Sequence, residues 1–349
     1  MSNASLSQIW LGTKFEASLG GGSADIATTA ALAAFLNCDI KPAFADEGIA
    51  EATGWHPVKD STRVGKACSG SISGPVGATL LAYFLKYLFM VVPTPTGAGD
   101  PYTLTWADPL TPNSGTALFT PAAMPEKSFS LIEQIARISG YGVSPKGLIA
   151  TSLAITWTSQ GKVTATLTVA GNGVYTTGVS SPTTPTDDHG RYLLGAMTTL
   201  SIGGSDVSTA LRGGTLTISN GMEWTPRGGS TAGELTAIDQ SGQPNVELTF
   251  DLDETAIAAN GGLDDYLNTA GAPYGSAVAR EYILVFKGDT NRTATFTIKA
   301  GKVEGEYDVK VGANGTHGVQ RKVKAYQKAG TLYEYLDVVA LGKFDLAEA

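Results

Sequence analysis

The chain is poor in the residues that usually carry chemistry. It has two cysteines, Cys38 and Cys68, and three histidines in 349 residues. Two cysteines cannot make a disulfide framework, and no Cys/His cluster has the spacing of a zinc site. Charge is scarce: 16% of residues, 24 basic against 32 acidic, for a net charge of −8. That balance argues against a protein that wraps nucleic acid, which needs a basic face to neutralise phosphates. Long apolar runs are missing as well. The longest, Ala78–Val92, has 15 residues, contains Lys86 and stops at Pro93. A bilayer span takes about 20 residues, so the run reads as a buried helix and no membrane role is expected. The N-terminus, MSNASLSQIWLG, carries neither a basic n-region nor an apolar h-region, so no secretory signal is expected.

Glycine is in excess, with 43 residues against about 24 at a typical usage of about 7%. Apolar residues make up 42%, enough to bury a core. High glycine with low charge predicts a mainly β protein with few helices, and the length allows about two domains at roughly 150 residues each.

Residues 1–60 read as an N-terminal arm, with short helices expected at Ile26–Phe35 and Asp46–Thr53. Residues 61–200 form a first β unit. Val64–Ile72 is a weak strand closed by Ser73-Gly74-Pro75, and the apolar helix at 78–92 follows. Tyr102, Leu104 and Trp106 alternate with threonines. Leu131–Ser139 is compatible with strand or helix. Leu153, Ile155 and Trp157, a turn at Gln160-Gly161, then Val163, Ala165, Leu167 and Val169 make a hairpin. Residues 107–127 and 171–190 read as long loops. Residues 201–349 form a second β unit. It has strands at Thr215–Ser219 (ending on Asn220-Gly221), Val246–Leu252, Tyr282–Phe286, Thr295–Lys299, Val303–Val311, Val319–Tyr326 and Leu332–Val339, and a brief helix at Leu263–Asn268. The two units share an order of strand, helix, strand and hairpin, so a duplication is expected at the level of pattern.

Catalytic signals are weak. His56, His189 and His317 stand in WHP, DHG and THG, all turn contexts. A triad composed from Ser69, His189 and Asp188 lacks a nucleophile elbow, because GSISG puts Ile72 where G-x-S-x-G needs serine. Asp251-Leu-Asp253 opens like a calcium loop but has Ala256 at the sixth position and Gly262 at the twelfth. The glycine clusters at 20–22 and 312–318 match neither a P-loop nor a dinucleotide fingerprint. The sequons at Asn291 and Asn314 need a secretory route to be used. Carboxylate pairs occur at Asp264/Asp265 and at Glu304/Glu306, the latter about 7 Å apart by strand rise. Without an aromatic sugar cleft they read as solvated surface. No enzyme activity, cofactor or metal is expected.

The order of segments then becomes informative. KFEASLGG at 14–21 is followed by SGSISGPVGATLLAYFL, YTLTW, KSFSLIEQI, GLIATSLAITWTSQGKVTATLTVAG and LRGGTLTISNG. This succession resembles the tail tube (major tail) proteins of long-tailed bacteriophages over roughly residues 10–250. The resemblance implies a β-sandwich or half-barrel with a flanking helix. It implies a virion tail subunit, made in the host cytoplasm, whose rings stack into a tube meeting other tail proteins at its ends. DNA would pass through the lumen during genome ejection without specific binding. Members with one copy of the fold close as hexamers and members with two fused copies as trimers. Two strand-rich units favour the trimer here, with the hexamer as alternative. On that reading Glu247, Asp251, Glu304, Glu306 and Asp308 are candidate lumen-facing acids, since like charge keeps a polyanion moving. A β-sandwich adhesin-type binding module, and behind it a hydrolase on such a sandwich, are the competing readings.

Overall fold

The computed structural model describes residues 7–12, 14–21, 31–49, 60–91, 93, 95–97, 101–107, 109–110, 127–135, 142–179, 192–225, 235–253, 278–311, 317–326 and 336–342. The first half carries strands β1 (Ser7–Leu11), β2 (Ala31–Cys38), β3 (Lys41–Ile49) and β4 (Asp60–Pro75), then helix α1 (Ala78–Phe89). Strands β5 (Tyr102–Ala107), β6 (Leu131–Ile135), β7 (Gly142–Pro145), β8 (Leu148–Thr158), β9 (Thr164–Gly171) and β10 (Tyr175–Thr177) follow. Next come β11 (Leu194–Ile202), β12 (Ser205–Asp206), β13 (Leu211–Ser219), β14 (Met222–Thr225) and β15 (Ala237–Gln240). The chain continues with β16 (Asn245–Asp253), β17 (Arg280–Asp289), β18 (Arg292–Val311), β19 (His317–Ala325) and β20 (Leu336–Gly342). The mainly β reading holds.

Pairing sorts these strands into layers. Eight run side by side as a wall in the order β3-β4-β9-β8-β13-β16-β19-β18, every neighbour antiparallel. A second layer runs β5-β20-β18-β17-β11-β12. Strand β18 belongs to both. Its first part pairs with β20 as far as Ile298 and with β17 as far as Gly301, and its part from Gly301 to Val311 pairs with β19. Sandwich corners are made by strands that bend from one sheet into the other, and Gly301 is that bend. A Cβ there would sit 2.6 Å from both the Tyr282 ring and Val323. A small side sheet, β2-β1-β6-β7-β10, flanks the first half.

The core lies between the layers. Leu153, Ile155 and Trp157 of β8, Leu216 of β13 and Leu248 and Phe250 of β16 point inward from the wall; Tyr282, Leu284, Phe286 and Phe296 meet them from the second layer. Trp157 and Phe286 pack edge to face with centroids 5.2 Å apart, and Phe286 does the same with Phe296 at 5.9 Å, an arrangement worth about 0.5–1.5 kcal/mol beyond area burial. Helix α1 is apolar on nearly every side, and all its residues except Thr79 are buried. Such a helix belongs inside, and it packs against β8 of the wall and β20 and β18 of the second layer.

Two polar side chains hold the helix and the N-terminal segment. Asn220, fully buried, donates to the carbonyls of Leu88 and Ala150 at 2.8 Å and accepts from the Met222 N–H. It thereby satisfies one orphan carbonyl of the helix end, where Met90 turns left-handed at φ 55°. Glu16, also buried, accepts from the hydroxyls of Ser128 and Ser130 and from the N–H groups of Gly20 and Gly147 at 2.9 and 3.0 Å.

Several local expectations change. Ala31–Cys38 is strand, not helix, because pairing with β1 outweighs the alanine preference for helix. Asp46–Ile49 is strand for the same reason, lying along Asp60–Arg63 of β4. The strand-or-helix segment at 131 is the strand β6 as far as Ile135. The breaker cluster Ser73-Gly74-Pro75 stays in β4, opposite Thr164–Thr166. The runs at 295–299 and 303–311 are one strand. The expected helix at Leu263–Asn268 and most of the two long loops lie outside the described residues.

Phe84 and Leu81 are fully buried on α1. Phe84→Ala should therefore cost about 3–5 kcal/mol and Leu81→Ala about 2–5 kcal/mol. Urea denaturation of the unassembled protein measures both, and a near-neutral value for either would show that the helix is not part of the core.

Candidate functional site: the polar face of the wall

The wall has one face in the core and one turned away from it. Period-two alternation puts Val246, Leu248, Phe250 and Leu252 inward and the odd-numbered residues of β16 outward. Register then assembles the outer face, since directly opposed residues share a side. Thr166 of β9 lies opposite Ser73 of β4 and Ala154 of β8; Thr156 of β8 lies opposite Thr164 and Thr215; Thr217 of β13 lies opposite Glu247. The middle of the face is thus a block of small hydroxylated side chains. The Thr156 and Thr215 hydroxyls stand 3.4 Å apart.

Charge gathers on one flank. Glu247 lies opposite Lys324, Thr249 opposite Lys322 and Asp251 opposite Gln320. Glu304 of β18 lies opposite Lys322, and Lys302 opposite Lys324. Three of the five acids singled out from sequence, Glu247, Asp251 and Glu304, therefore share this face. Glu306 and Asp308 follow on β18, with Asp308 in register with Gln320; their side chains lie outside the described residues. Seen along β16 alone, Glu247 and Asp251 had no basic neighbour. Across the sheet they stand beside a lysine-bearing strand, which no single-strand pattern reveals.

Glu247 is bound on both sides. The Asn245 amide donates to it at 3.0 Å and the Lys322 ammonium reaches it at 3.1 Å. Chiefly the Asn245 hydrogen bond, and then Lys322, hold its carboxyl below the usual carboxylate range. Glu304 accepts a hydrogen bond from the Tyr326 hydroxyl, which pushes that phenol above its usual range. Asp253, read in sequence as the third position of a failed calcium loop, is the last residue of β16 and pairs with Arg212. Among the described residues no group of three or more His, Cys, Asp or Glu is placed to hold a metal, and no helix is long and apolar enough to cross a membrane.

The cysteines do not form a reactive pair. Both are free thiols. Burial, helped by the Glu133 carboxylate, pushes Cys38 up to about 12, and burial raises Cys68 as well. Neither is a thiolate nucleophile near neutrality.

At one end of the wall Ile149, Met222, Trp224 and Ile238 form a separate apolar cluster with Met90, tying the β14–β15 ribbon to the ends of β8 and α1. The polar face is therefore a bounded strip.

The family model described as phage tail tube protein matches residues 57–315, most of the chain, and the chain belongs to that family. The match takes in α1 and every wall strand except β3 and β19. No curated protein matches the chain. A tail tube family is a structural one, which favours a structural role over the hydrolase reading and implies a virion tail component that assembles into a tube.

The depressed Glu247 carboxyl has a definite pH consequence. A carboxylate held low in the folded state adds stability that is present above its unfolded value and lost as pH falls through the folded one. Carboxyl NMR titration should place Glu247 below the usual range, and Asn245→Ala should raise it more than Lys322→Ala. Equal and ordinary values in all three proteins would remove the assigned contacts.

Proposed function

We propose that the chain is the ring subunit of a phage tail tube, and that the polar face of the wall lines the lumen through which DNA passes. The observation that carries the reading is the wall itself: eight antiparallel strands with a core face, a hydroxylated opposite face, and unpaired edges among the described residues at β3 and at the end of β18. A DNA conduit has to be wet, and must not hold bases by stacking or phosphates by unbalanced cations. A strip of threonine and serine, flanked by lysines set among glutamates and aspartates, meets both requirements. Glu247, Asp251 and Glu304 offset Lys302, Lys322 and Lys324 on that flank, and with Glu306 and Asp308 further along β18 they are the lumen residues of this reading.

A trimer is the favoured ring. The wall divides into two four-stranded halves of one topology. In β3-β4-β9-β8 and in β13-β16-β19-β18 the order across the sheet is first, second, fourth, third along the chain. That repeat supports a fused duplication of units at about 61–200 and 201–349, with β3 of the expected N-terminal arm added to the first. Three such chains supply pseudo-sixfold symmetry. Twenty-four strands about 4.8 Å apart and tilted by about 40° close a barrel roughly 45–50 Å across its backbone, ample for a duplex. Six copies would double that width.

Electron microscopy of the purified chain tests the assembly, with stacked rings of three copies expected. Dispersed 36.0 kDa monomers at every concentration would overturn it. Virions carrying lysine at all five acids should assemble yet eject DNA slowly or not at all. Normal infection by such virions would move the lumen to another surface and leave the tube intact.

A further inference from the structure

We infer that Asn172-Gly173 and Asn220-Gly221 are sites of spontaneous covalent modification, succinimide-forming deamidation, which the native fold shuts off at each by a different cover. The N-terminal segment around Glu16 closes the first and the end of α1 closes the second. Time spent unfolded or locally open is thereby recorded in the covalent structure.

In an Asn-Gly pair the glycine nitrogen, having given its proton to a base, attacks the asparagine Cγ. A C–N bond forms, the bond to Nδ2 breaks, and Nδ2 leaves as ammonia after taking a proton from water. Water then opens the cyclic imide at one carbonyl or the other, giving aspartate or isoaspartate. Glycine makes the attack easy because no side chain restricts the approach of its nitrogen. The sequence holds four such pairs, of which Asn260-Gly261 and Asn314-Gly315 lie outside the described residues. At the two described pairs the glycine cannot be exchanged. Gly173 has φ 89° and Gly221 φ 70°. A Cβ would stand 2.6 Å from the Lys66 side chain at the first and 2.3 Å from the Gly242 carbonyl oxygen at the second. The fold therefore requires a labile pair at both places.

Both asparagines are buried. Asn220 donates from Nδ2 to the Leu88 carbonyl of α1 and the Ala150 carbonyl of β8, and its Oδ1 accepts from the Met222 N–H. Ring closure would pull Nδ2 off both carbonyls, at a fully buried position that solvent base does not reach. Asn172 is held differently. Its Oδ1 accepts from the Val174 N–H at 3.2 Å, and its carboxamide is wedged between Gly20 and Gly147, where a Cβ would come within 2.2 and 2.4 Å of it. The N–H groups of those same two glycines donate to Glu16, which also accepts from Ser128 and Ser130. Lifting Gly20 away is thus the way to open Asn172, and it leaves Asn220 covered. The products differ as well. Aspartate at 172 still accepts from the Val174 N–H. Aspartate at 220 sets a carboxylate oxygen where Nδ2 stood, against two carbonyl oxygens and away from water. That product unlatches the end of α1 and takes the chain out of the folded pool.

Peptide mass spectrometry with isoaspartate detection tests this on the full chain, native and in urea, at mildly alkaline pH. Each pair is compared with its own unfolded rate. In urea both should deamidate readily. In the native protein both should slow by at least about tenfold, because only molecules open at the site react and well-packed segments open rarely. Glu16→Gln, which weakens the hold on Gly20, should speed Asn172 by about threefold or more in the native protein and leave Asn220 unchanged. Ser128→Ala removes one donor to the same carboxylate and gives the same readout if the Gln variant does not fold. Asn220→Asp should unfold at a lower urea concentration than Asn172→Asp. Native rates within about tenfold of the unfolded ones would overturn the protection. Acceleration of both sites together, or of neither, would overturn the separate covers. A chain that stays amidated at both pairs in urea would remove the sites themselves, and a reversed order of the two aspartate variants would overturn the unlatching of α1.

Discussion

The wall depends on the hydrogen-bonded seam between β8 and β13. Among the described residues it is the one strand pairing that joins the four wall strands of the first half to the four of the second. Its register fixes which side chains face the core on both halves, because a one-residue slip would turn every side chain to the other face. Trp157 and Leu216 face in together, and Thr156 and Thr215 face out together, only in this register. Gly213 and Gly214 mark how tight the seam is. A Cβ on Gly214 would stand 2.3 Å from the Thr249 carbonyl and 2.8 Å from the Trp157 ring.

The second layer exists because β18 leaves the wall. By bending at Gly301 it hands the sheet on to β17 and β20, whose inner side chains cover the apolar face of the wall. The two layers do not close on each other everywhere, and α1 fills the space between them. That explains an otherwise odd helix, buried all round and carrying Lys86 within it. The Lys86 ammonium lies 5.0 Å above the Phe15 ring, and Lys127 lies at 5.0 Å from the same ring. The segment holding Phe15 and Glu16 is thus bound to the helix by cation–π contacts and to the following strands by the Glu16 carboxylate. These contacts explain why KFEASLGG keeps a fixed place in the fold although it forms no strand.

Much of this was legible in the sequence, and the parts that were not share a cause. Alternation marked β8, β9 and β16 residue by residue, and the apolar run marked α1 to within three residues of its end. Local pattern is enough when one strand has one wet and one dry face. It failed where a partner decides. Ala31–Cys38 and Asp46–Ile49 became strands because β1 and β4 were there to pair with. Arg321, inward on β19 between Val319 and Val323, is a charge inside the core that alternation assigns to an apolar residue. On the candidate face the acids were readable one strand at a time, but their lysine neighbours belong to another strand. Charge balance on a sheet is a property of register, which the sequence states only once the pairing is known.

On the proposed reading, the composition of that face answers two conflicting requirements. A surface that conducts a polyanion gains from negative charge, which repels phosphate, yet a sheet face bearing carboxylates side by side destabilises itself by like-charge repulsion. The wall resolves the conflict by position. Its middle strands carry neutral hydroxyls, which neither attract phosphate nor repel one another. The charged flank interleaves lysines among the acids across β16, β19 and β18, as in the Glu247–Lys322 pair. Exposed pairs of this kind add little to stability and are screened by salt. They do cancel the local field, so that no run of unopposed lysines offers phosphate a holding site. On the proposed reading, smooth passage comes from the absence of deep electrostatic wells of either sign and not from a strongly acidic lining. The modest net charge of −8 across 349 residues is in keeping with a wall built that way.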